Sequence, residues 1–446
     1  MPVDELHTTW AELDQLEREE KHLAERLSVV HMKIKARKTK IDVLVKGRPP
    51  SINRLPLELL SRILIHSMSE PEFPERSLHG IAGVSRRWRD VILNTPTFWT
   101  SVMVTPGQWL SQFSLLRRQL KRSCVAPLDI WIRGWYYSHA LQDVLDIILP
   151  HTNRWRTLTI SNNAIVVTAS ILRIISLKKF PSLREISVHS TSGGNADRTP
   201  LLIISHESFL AHQHLTLALP LLSNTWAPLS PINLRTLDLT LPKAILAPLK
   251  VTEIASSQSL TLLTLSGDDT VWSLKRDTLH FPLLEELRLR VNSPTSFLEA
   301  IIAPKLEHVE CTPHNYPTFD SIEGKFRDVG HLRFEFQSFD AKDVDSLCRA
   351  FPAVRHVDLS IHHDFYFEGV QPPINQWQNL ETVTIYDFGR SWWPNQSIEH
   401  DRIVEWLSER KESGQPQLCV RLPGTRIDEP KVFPLLRRCC NLELLT

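Results

Sequence analysis

Residues 51–102 read SINRLPLELLSRILIHSMSE (51–70), PEFPER (71–76) and SLHGIAGVSRRWRDVILNTPTFWTSV (77–102). Asn53 can cap a helix by accepting a bond from a free backbone N–H, and Pro56 suits a first turn, where N–H groups lack partners. Glu58 favours the positive end of the helix dipole. Leu55, Leu59 and Ile63, with Leu60 and Leu64, follow helical spacing, so one helix face is apolar. Pro71 and Pro74 break the pattern. A second helix is expected from Leu78 to Leu93, with Leu78, Ile81, Val84, Trp88 and Ile92 on one stripe and Arg86, Arg87, Arg89 and Asp90 off it. So small a unit buries a low fraction of its surface. Leucines and tryptophans at this density need a partner surface.

The stretch resembles the F-box. The resemblance rests on Leu55-Pro56, Glu58-Leu59-Leu60 and Ile63-Leu64, then Val84-Ser85-Arg86-Arg87-Trp88-Arg89-Asp90, then Pro96 and Phe98-Trp99. Ser85 stands where that family often has Cys. The resemblance implies a three-helix module that docks on the Skp-type adaptor of a cullin–RING ubiquitin ligase. Leu55, Pro56, Leu59, Leu60, Ile63, Val84, Trp88 and Trp99 are the adaptor-contact candidates it nominates. An ordinary helical linker domain is the plainer alternative.

N-terminal to this stretch, no Gly or Pro occurs from Glu5 to Val45. Leu6, Leu13, Leu27, Ile34 and Ile41 share one heptad position, and Leu16, Leu23, Val30 and Leu44 share the position three further on. That is the seam of a coiled coil, interrupted by Glu20 and Arg37. Acids dominate to Glu25 and bases after it. The order suits the helix dipole, and it also suits an antiparallel partner. Residues 1–48 are therefore expected to form a coiled-coil helix capable of self-association, or a single solvated helix. The basic run Lys33–Lys40 reads as a solvated face more readily than as a nuclear address or phosphate patch. Gly47-Arg48-Pro49-Pro50 ends the helix.

After Trp99 the form apolar-x-x-apolar-x-apolar recurs. It appears at Trp155/Leu158/Ile160, Leu183/Ile186/Val188, Leu234/Leu237/Leu239, Leu260/Leu263/Leu265 and Leu284/Leu287/Leu289. It continues at Leu306/Val309/Cys311, His331/Phe334/Phe336, Val354/Val357/Leu359 and Leu380/Val383/Ile385, with a weaker copy at His212/Leu215/Leu217. Starts lie about 22 to 29 residues apart, the period of a leucine-rich repeat. Phe180-Pro181, Phe281-Pro282 and Phe351-Pro352 precede three copies. Residues 103–446 thus resemble an irregular leucine-rich-repeat solenoid, starting at Leu128/Ile130/Ile132. The Asn expected three residues past the last apolar position occurs only at Asn163 and Asn292. A general α/β domain is the alternative. Residues alternating with the core face, among them Arg156, Thr157, Arg184, Glu185, Arg235, Thr236, Glu285, Glu286, Arg288, Arg355, His356, Glu381 and Thr382, form the expected recognition surface. Trp392 and Trp393 are a second candidate, with buried packing against the last repeats as the alternative. A helix is expected over Glu399–Glu412 with Ile403, Trp406 and Leu407 inward. The last residues, Asn441–Leu445, look like one more strand, so either that strand is the cap or the chain is truncated.

The 446 residues exceed one ordinary domain. Lys and Arg number 51 against 50 Asp and Glu, a balance that argues against nucleic acid as the main partner. Thirty prolines against fourteen glycines fit many short elements separated by breaks. The six cysteines make no CxxC and have no His at zinc spacing, so reduced, buried thiols in a cytoplasmic or nuclear protein are expected. No apolar run approaches bilayer length. No GxSxG, P-loop, GxGxxG, HExxH or kinase motif is present. His362-His363-Asp364 lacks a second group for a metal, and Gly193-Gly194-Asn195 reads as a turn. No catalytic, metal or cofactor residue is nominated.

The fold expected is therefore α/β: a coiled-coil helix (1–48), a helical F-box-like module (51–102) and an irregular repeat solenoid (103–446). The expected role is the substrate receptor of a Skp–cullin–F-box ligase, holding an unidentified target protein, with no nucleic acid or membrane among its partners. The alternative is a non-ligase scaffold that uses the same coiled coil and repeats. The layout also resembles the F-box families of mushroom-forming fungi.

Overall fold

The computed structural model of the protein describes residues 3–46, 52, 55–67, 74–106, 109–135, 141–175, 177–192, 214–218, 234–241, 258–267, 274–313, 318–335, 341–359, 366–367, 369, 371–386, 397–423 and 432–445. It divides into two units, Met1–Phe98 and Trp99–Thr446.

In the first unit, α1 (Val3–Lys46) runs unbroken, as the absence of Gly and Pro requires. Three short helices follow: α2 (Leu57–Ser67), α3 (Pro74–Val84) and α4 (Arg86–Asn94). Pro56 precedes α2, and its carbonyl accepts the Leu60 N–H at 3.0 Å. Asn53 lies outside the described residues. The single helix expected over Leu78–Leu93 is two helices. Ser85 is extended (φ −158°, ψ 163°), and its hydroxyl oxygen accepts the Trp88 N–H at 3.2 Å. That serine is an N-cap, and its side-chain bond competes with helix continuation. α4 packs on both α2 and α3. Leu60, Leu64, Leu78, Val91, Ile92 and Phe98 are buried. The Arg87 guanidinium donates to the Leu55 carbonyl, tying the segment before α2 to α4.

The second unit contains β1 (Ser101–Val104), β2 (Leu128–Arg133), β3 (Trp155–Ala164), β4 (Glu185–Ser192), β5 (His214–Ala218), β6 (Thr236–Leu241), β7 (Leu262–Gly267) and β8 (Leu279–His280). It continues with β9 (Glu286–Val291), β10 (Ile301–Ile302), β11 (His308–Cys311), β12 (His331–Phe334), β13 (His356–Leu359), β14 (Thr382–Ile385), β15 (Cys419–Pro423) and β16 (Asn441–Leu445). All but β8 and β10 belong to one 14-stranded sheet whose strand order follows chain order. Every neighbouring pair is parallel. β8 and β10 pair separately.

The register explains the apolar spacing. Ile130, Leu158, Ile186, Leu215, Leu237, Leu263, Leu287, Val309, Leu332, Val357, Val383 and Val420 occupy one row across successive strands, and all are buried. A fully buried leucine contributes about 1.5–3 kcal/mol of transfer free energy. Each strand gains that burial only where the next strand and return segment cover it. The return segments include Leu141–Ile148, Ile165–Ile175, Pro294–Ala300, Ala341–Ala350 and Ser397–Glu412, and their buried residues join the strand residues in one core. Ile403, Trp406 and Leu407 are inward, as expected. Phe180, Phe281 and Phe351 are buried while the prolines after them are exposed. The Leu183 and Leu284 N–H groups donate to the Phe180 and Phe281 carbonyls at 3.3 and 3.4 Å, closing the turn into the strand.

Four features differ from the expectation. The sheet begins at β1, one strand before Leu128, and β1 takes Ser101 and Val102; the division between units falls after Phe98 rather than at 102. At 331 the frame is Val329/Leu332/Phe334, all buried, and His331 points the other way. Apolar residues at 332, 334 and 336 fit either frame, which is why the spacing misleads. The asparagine buried after β3's apolar pair is Asn162, whose Oδ1 accepts the Trp135 N–H at 2.9 Å; the side chain of Asn163 lies outside the described residues. Finally, three of the six free cysteines are buried, Cys419 and Cys439 are partly exposed, and Cys124 is exposed.

Leu287 sits mid-row and fully buried, whereas Leu283, four residues earlier, is 38% exposed. Leu287→Ala should destabilise the protein by about 2–5 kcal/mol in urea unfolding, and Leu283→Ala by no more than about 0.5 kcal/mol.

Candidate functional site

Two surfaces stand out, one in each unit. The first is on α2. Six of its eleven residues are Leu or Ile, more than one face can bury. Leu60 and Leu64 go into the small core, while Leu57, Leu59, Ile63 and Ile65 remain exposed. Leu59 and Ile63, four residues apart, form one ridge beside the buried stripe. Ile65 flanks that stripe on its other side.

The eight residues nominated for adaptor contact separate accordingly. Leu59 and Ile63 share the ridge, each 46% exposed. Pro56 is exposed just before it, and Leu55 is half-buried, with its carbonyl held by Arg87. Val84 is exposed at the end of α3, and Trp88 is half-buried on α4. Leu60 requires correction as a contact residue: its side chain is wholly buried, so it supports the ridge from beneath. Trp99 belongs to the second unit, where the Arg122 guanidinium lies 4.6 Å from its ring centroid. Ile65 lies off the apolar stripe, so helical spacing does not nominate it; Leu57 continues the stripe of Leu60 and Leu64 and stands exposed in the first turn.

The second surface is the polar side of the sheet. One outward row runs through Thr157, Glu185, His214, Thr236, Leu262, Glu286, His308, His331, His356 and Thr382. The next includes Asp238, Thr264, Arg288, Glu310, Arg333, Asp358 and Thr384. Arg156, Arg184, Arg235, Glu285, Arg355 and Glu381 lie just ahead of these rows with exposed side chains. Their carbonyls accept N–H groups from the segment leading into or beginning the neighbouring strand at 2.8 to 3.0 Å, so their backbones extend the ladder.

On β9, β11, β12 and β13 the second row alternates in sign: Arg288, Glu310, Arg333, Asp358. Glu310 is buried; Arg290 Nη2 donates to it at 3.0 Å, and Arg288 Nε forms an ion pair with it at 3.6 Å. Arg288 also pairs with Glu286 at 2.6 Å. A carboxylate removed from water in this way persists only with such partners. Asp358 lies 3.1 Å from His331 Nε2, and the Tyr386 hydroxyl donates to it at 3.4 Å. Burial pushes the Asp358 carboxyl up, but hydrogen bonds from His331 and Thr384 outweigh that and hold it below its ordinary value. Arg333 lies 4.8 Å from the Tyr386 ring centroid and donates from Nε to Glu335 at 3.0 Å. The His308 and His331 rings are 4.2 Å apart, and the His331 and His356 rings 6.0 Å.

This surface consists of internally compensated charges and imidazoles held rigidly by the strands. It offers directed hydrogen bonds and charges of both signs, which suits a folded protein surface better than a polyanion. Among the described residues no group of three or more His, Cys, Asp or Glu is placed to hold a metal ion, and no helix is long and apolar enough to cross a membrane. Trp392, Trp393, His212, His362-His363-Asp364 and Gly193-Gly194-Asn195 lie outside the described residues. Glu310, Arg333 and Asp358 carry no signal in the sequence because their roles come from cross-strand partners. Compared with known proteins, the chain matches no family model and no curated protein.

Burial lowers the His308 pKa first; the neighbouring His331 and Arg288 lower it further, against the opposing pull of Glu286 and Glu310. The neutral ring is therefore favoured in the folded state. Its contribution to stability is complete above the unfolded value of 6.5 and is lost as pH falls below it. The thermal midpoint of the protein should drop on acidification below 6.5, and His308→Gln should flatten that drop. An unchanged pH profile in the variant would show that His308 does not carry the effect.

Proposed function

We propose that the chain is a substrate receptor of a Skp–cullin–F-box ubiquitin ligase. In this reading residues 51–102 carry an F-box-type module, and the sequential parallel sheet is an irregular leucine-rich-repeat solenoid that holds a target protein on its polar face. The observation that carries the proposal is the state of α2: its unit has a core of its own, yet Leu57, Leu59, Ile63 and Ile65 stay in water on an eleven-residue helix. Exposed leucine and isoleucine at this density on a helix whose other side is already packed mark a docking surface. The F-box resemblance of the same residues supplies the partner, a Skp-type adaptor with its cullin. The in-register parallel strands and their repeat length support the solenoid.

The mechanism needs no acid, base or nucleophile from this chain. Fixing a target lysine near a ubiquitin thioester raises its effective concentration, and that proximity is the catalytic contribution. The alternating charges of β9 to β13 suit target selection, because rigid paired charges reject partners of the wrong pattern more than they add affinity.

Binding of the purified full chain to a Skp-type adaptor tests this directly. Leu59→Ala with Ile63→Ala should weaken binding by about tenfold or more, corresponding to roughly 1.4 kcal/mol, without altering the far-ultraviolet circular dichroism. Undiminished binding by the double variant would remove the docking assignment. Adaptor binding without any co-purifying cullin would replace the ligase reading with that of a scaffold.

A further inference from the structure

The longest described element, α1, buries none of its described side chains. Across α1, every described side chain is exposed, including Leu13, Leu16, Leu23, Leu27, Val30, Ile34, Ile41 and Leu44. These residues form one seam at heptad spacing, which a lone helix leaves in water. Two charges interrupt it: Glu20 at the first seam position and Arg37 at the second. They do not serve the helix dipole, whose influence fades within the first and last turns.

We propose that α1 pairs with α1 of a second copy as an antiparallel coiled coil in one defined register, independently of any ligase role. In an antiparallel pair, the first seam position of one helix faces the second seam position of the other. Placing Glu20 opposite Arg37 of the second copy fixes the alignment, and the two-fold axis repeats the pair. Every other layer from Leu13 to Leu44 is then apolar on both sides: Leu13 faces Leu44, Leu16 faces Ile41, Leu23 faces Ile34 and Leu27 faces Val30. A shift of one heptad in either direction sets Glu20 and Arg37 against Leu or Val. A parallel in-register pair sets Glu20 against Glu20 and Arg37 against Arg37.

The flanks agree with this register. Glu17 and Glu19 come near Lys38 and Lys40 of the second copy, whereas Arg26 near Lys33 is the one like-charge approach. Two interruptions that weaken the seam of an isolated chain thus become the groups that select orientation and alignment, a use of polar seam residues that costs stability and gains specificity. A dimer built this way carries two copies of the α2 ridge and two strand arrays.

Sedimentation equilibrium on the full-length chain tests the inference, with circular dichroism confirming that helix content is kept. The wild-type chain should be dimeric at tens of micromolar. E20R and R37E should each weaken the dimer by about tenfold or more, because each variant places like charges opposite one another twice. An equimolar mixture of the two single variants should recover wild-type association, since the E20R and R37E helices carry opposite charges across both of the paired layers. The E20R/R37E double variant should recover it alone. A monomeric wild-type chain, single variants that associate normally, or a failure of both rescues would each overturn the proposal.

Discussion

The second unit depends on nearest-neighbour burial between parallel strands. No strand of the sheet can remove its inward residues from water alone. Ile130, Leu158, Ile186 and their successors become a row only when each strand lies in register on the next and a return segment closes over the pair. Burial in the sheet is therefore shared between neighbouring strands. Loss of one inward residue weakens two junctions. Side chains facing away from the core are released from packing duty, which is what allows Arg288, Glu310, Arg333 and Asp358 to form a charged row without disturbing the fold.

The first unit is built differently. Its three short helices enclose a core of only a few residues, with Leu60, Leu64, Leu78, Val91 and Ile92 at its centre. Helices this short gain little from propensity alone. Ser85 contributes by capping α4 and ending the run that simple periodicity would continue. Arg87 adds a long-range tie to the Leu55 carbonyl. What remains on α2 is a ridge left exposed among the described residues of the unit, and the proposed docking on an adaptor would cover it.

Much of this is legible in the sequence. The uninterrupted α1 follows from the absence of Gly and Pro, and most strands follow from apolar residues spaced three and then two apart. The helix with Ile403, Trp406 and Leu407 inward follows from 3.6-residue periodicity. The failures have particular causes. Alternating apolar residues around 331 permit two frames, and only the packing of Val329 chooses between them. β1 is hidden because its four residues lack the longer spacing pattern. Leu60 and Leu59 cannot be told apart by type; their opposite fates depend on which side of α2 meets α4. The polar row of β9 to β13 is made by register, which brings together residues more than twenty positions apart, so no local motif announces it.

Hydrogen–deuterium exchange on the full-length chain, with and without a Skp-type adaptor, tests the docking role of α2 most directly. New protection is expected over residues 57–65 and around Val84 and Trp88, with exchange in the strands from β2 to β15 unchanged. Protection that appears in the sheet instead, or no protection anywhere at an adaptor concentration far above that of the chain, would contradict it.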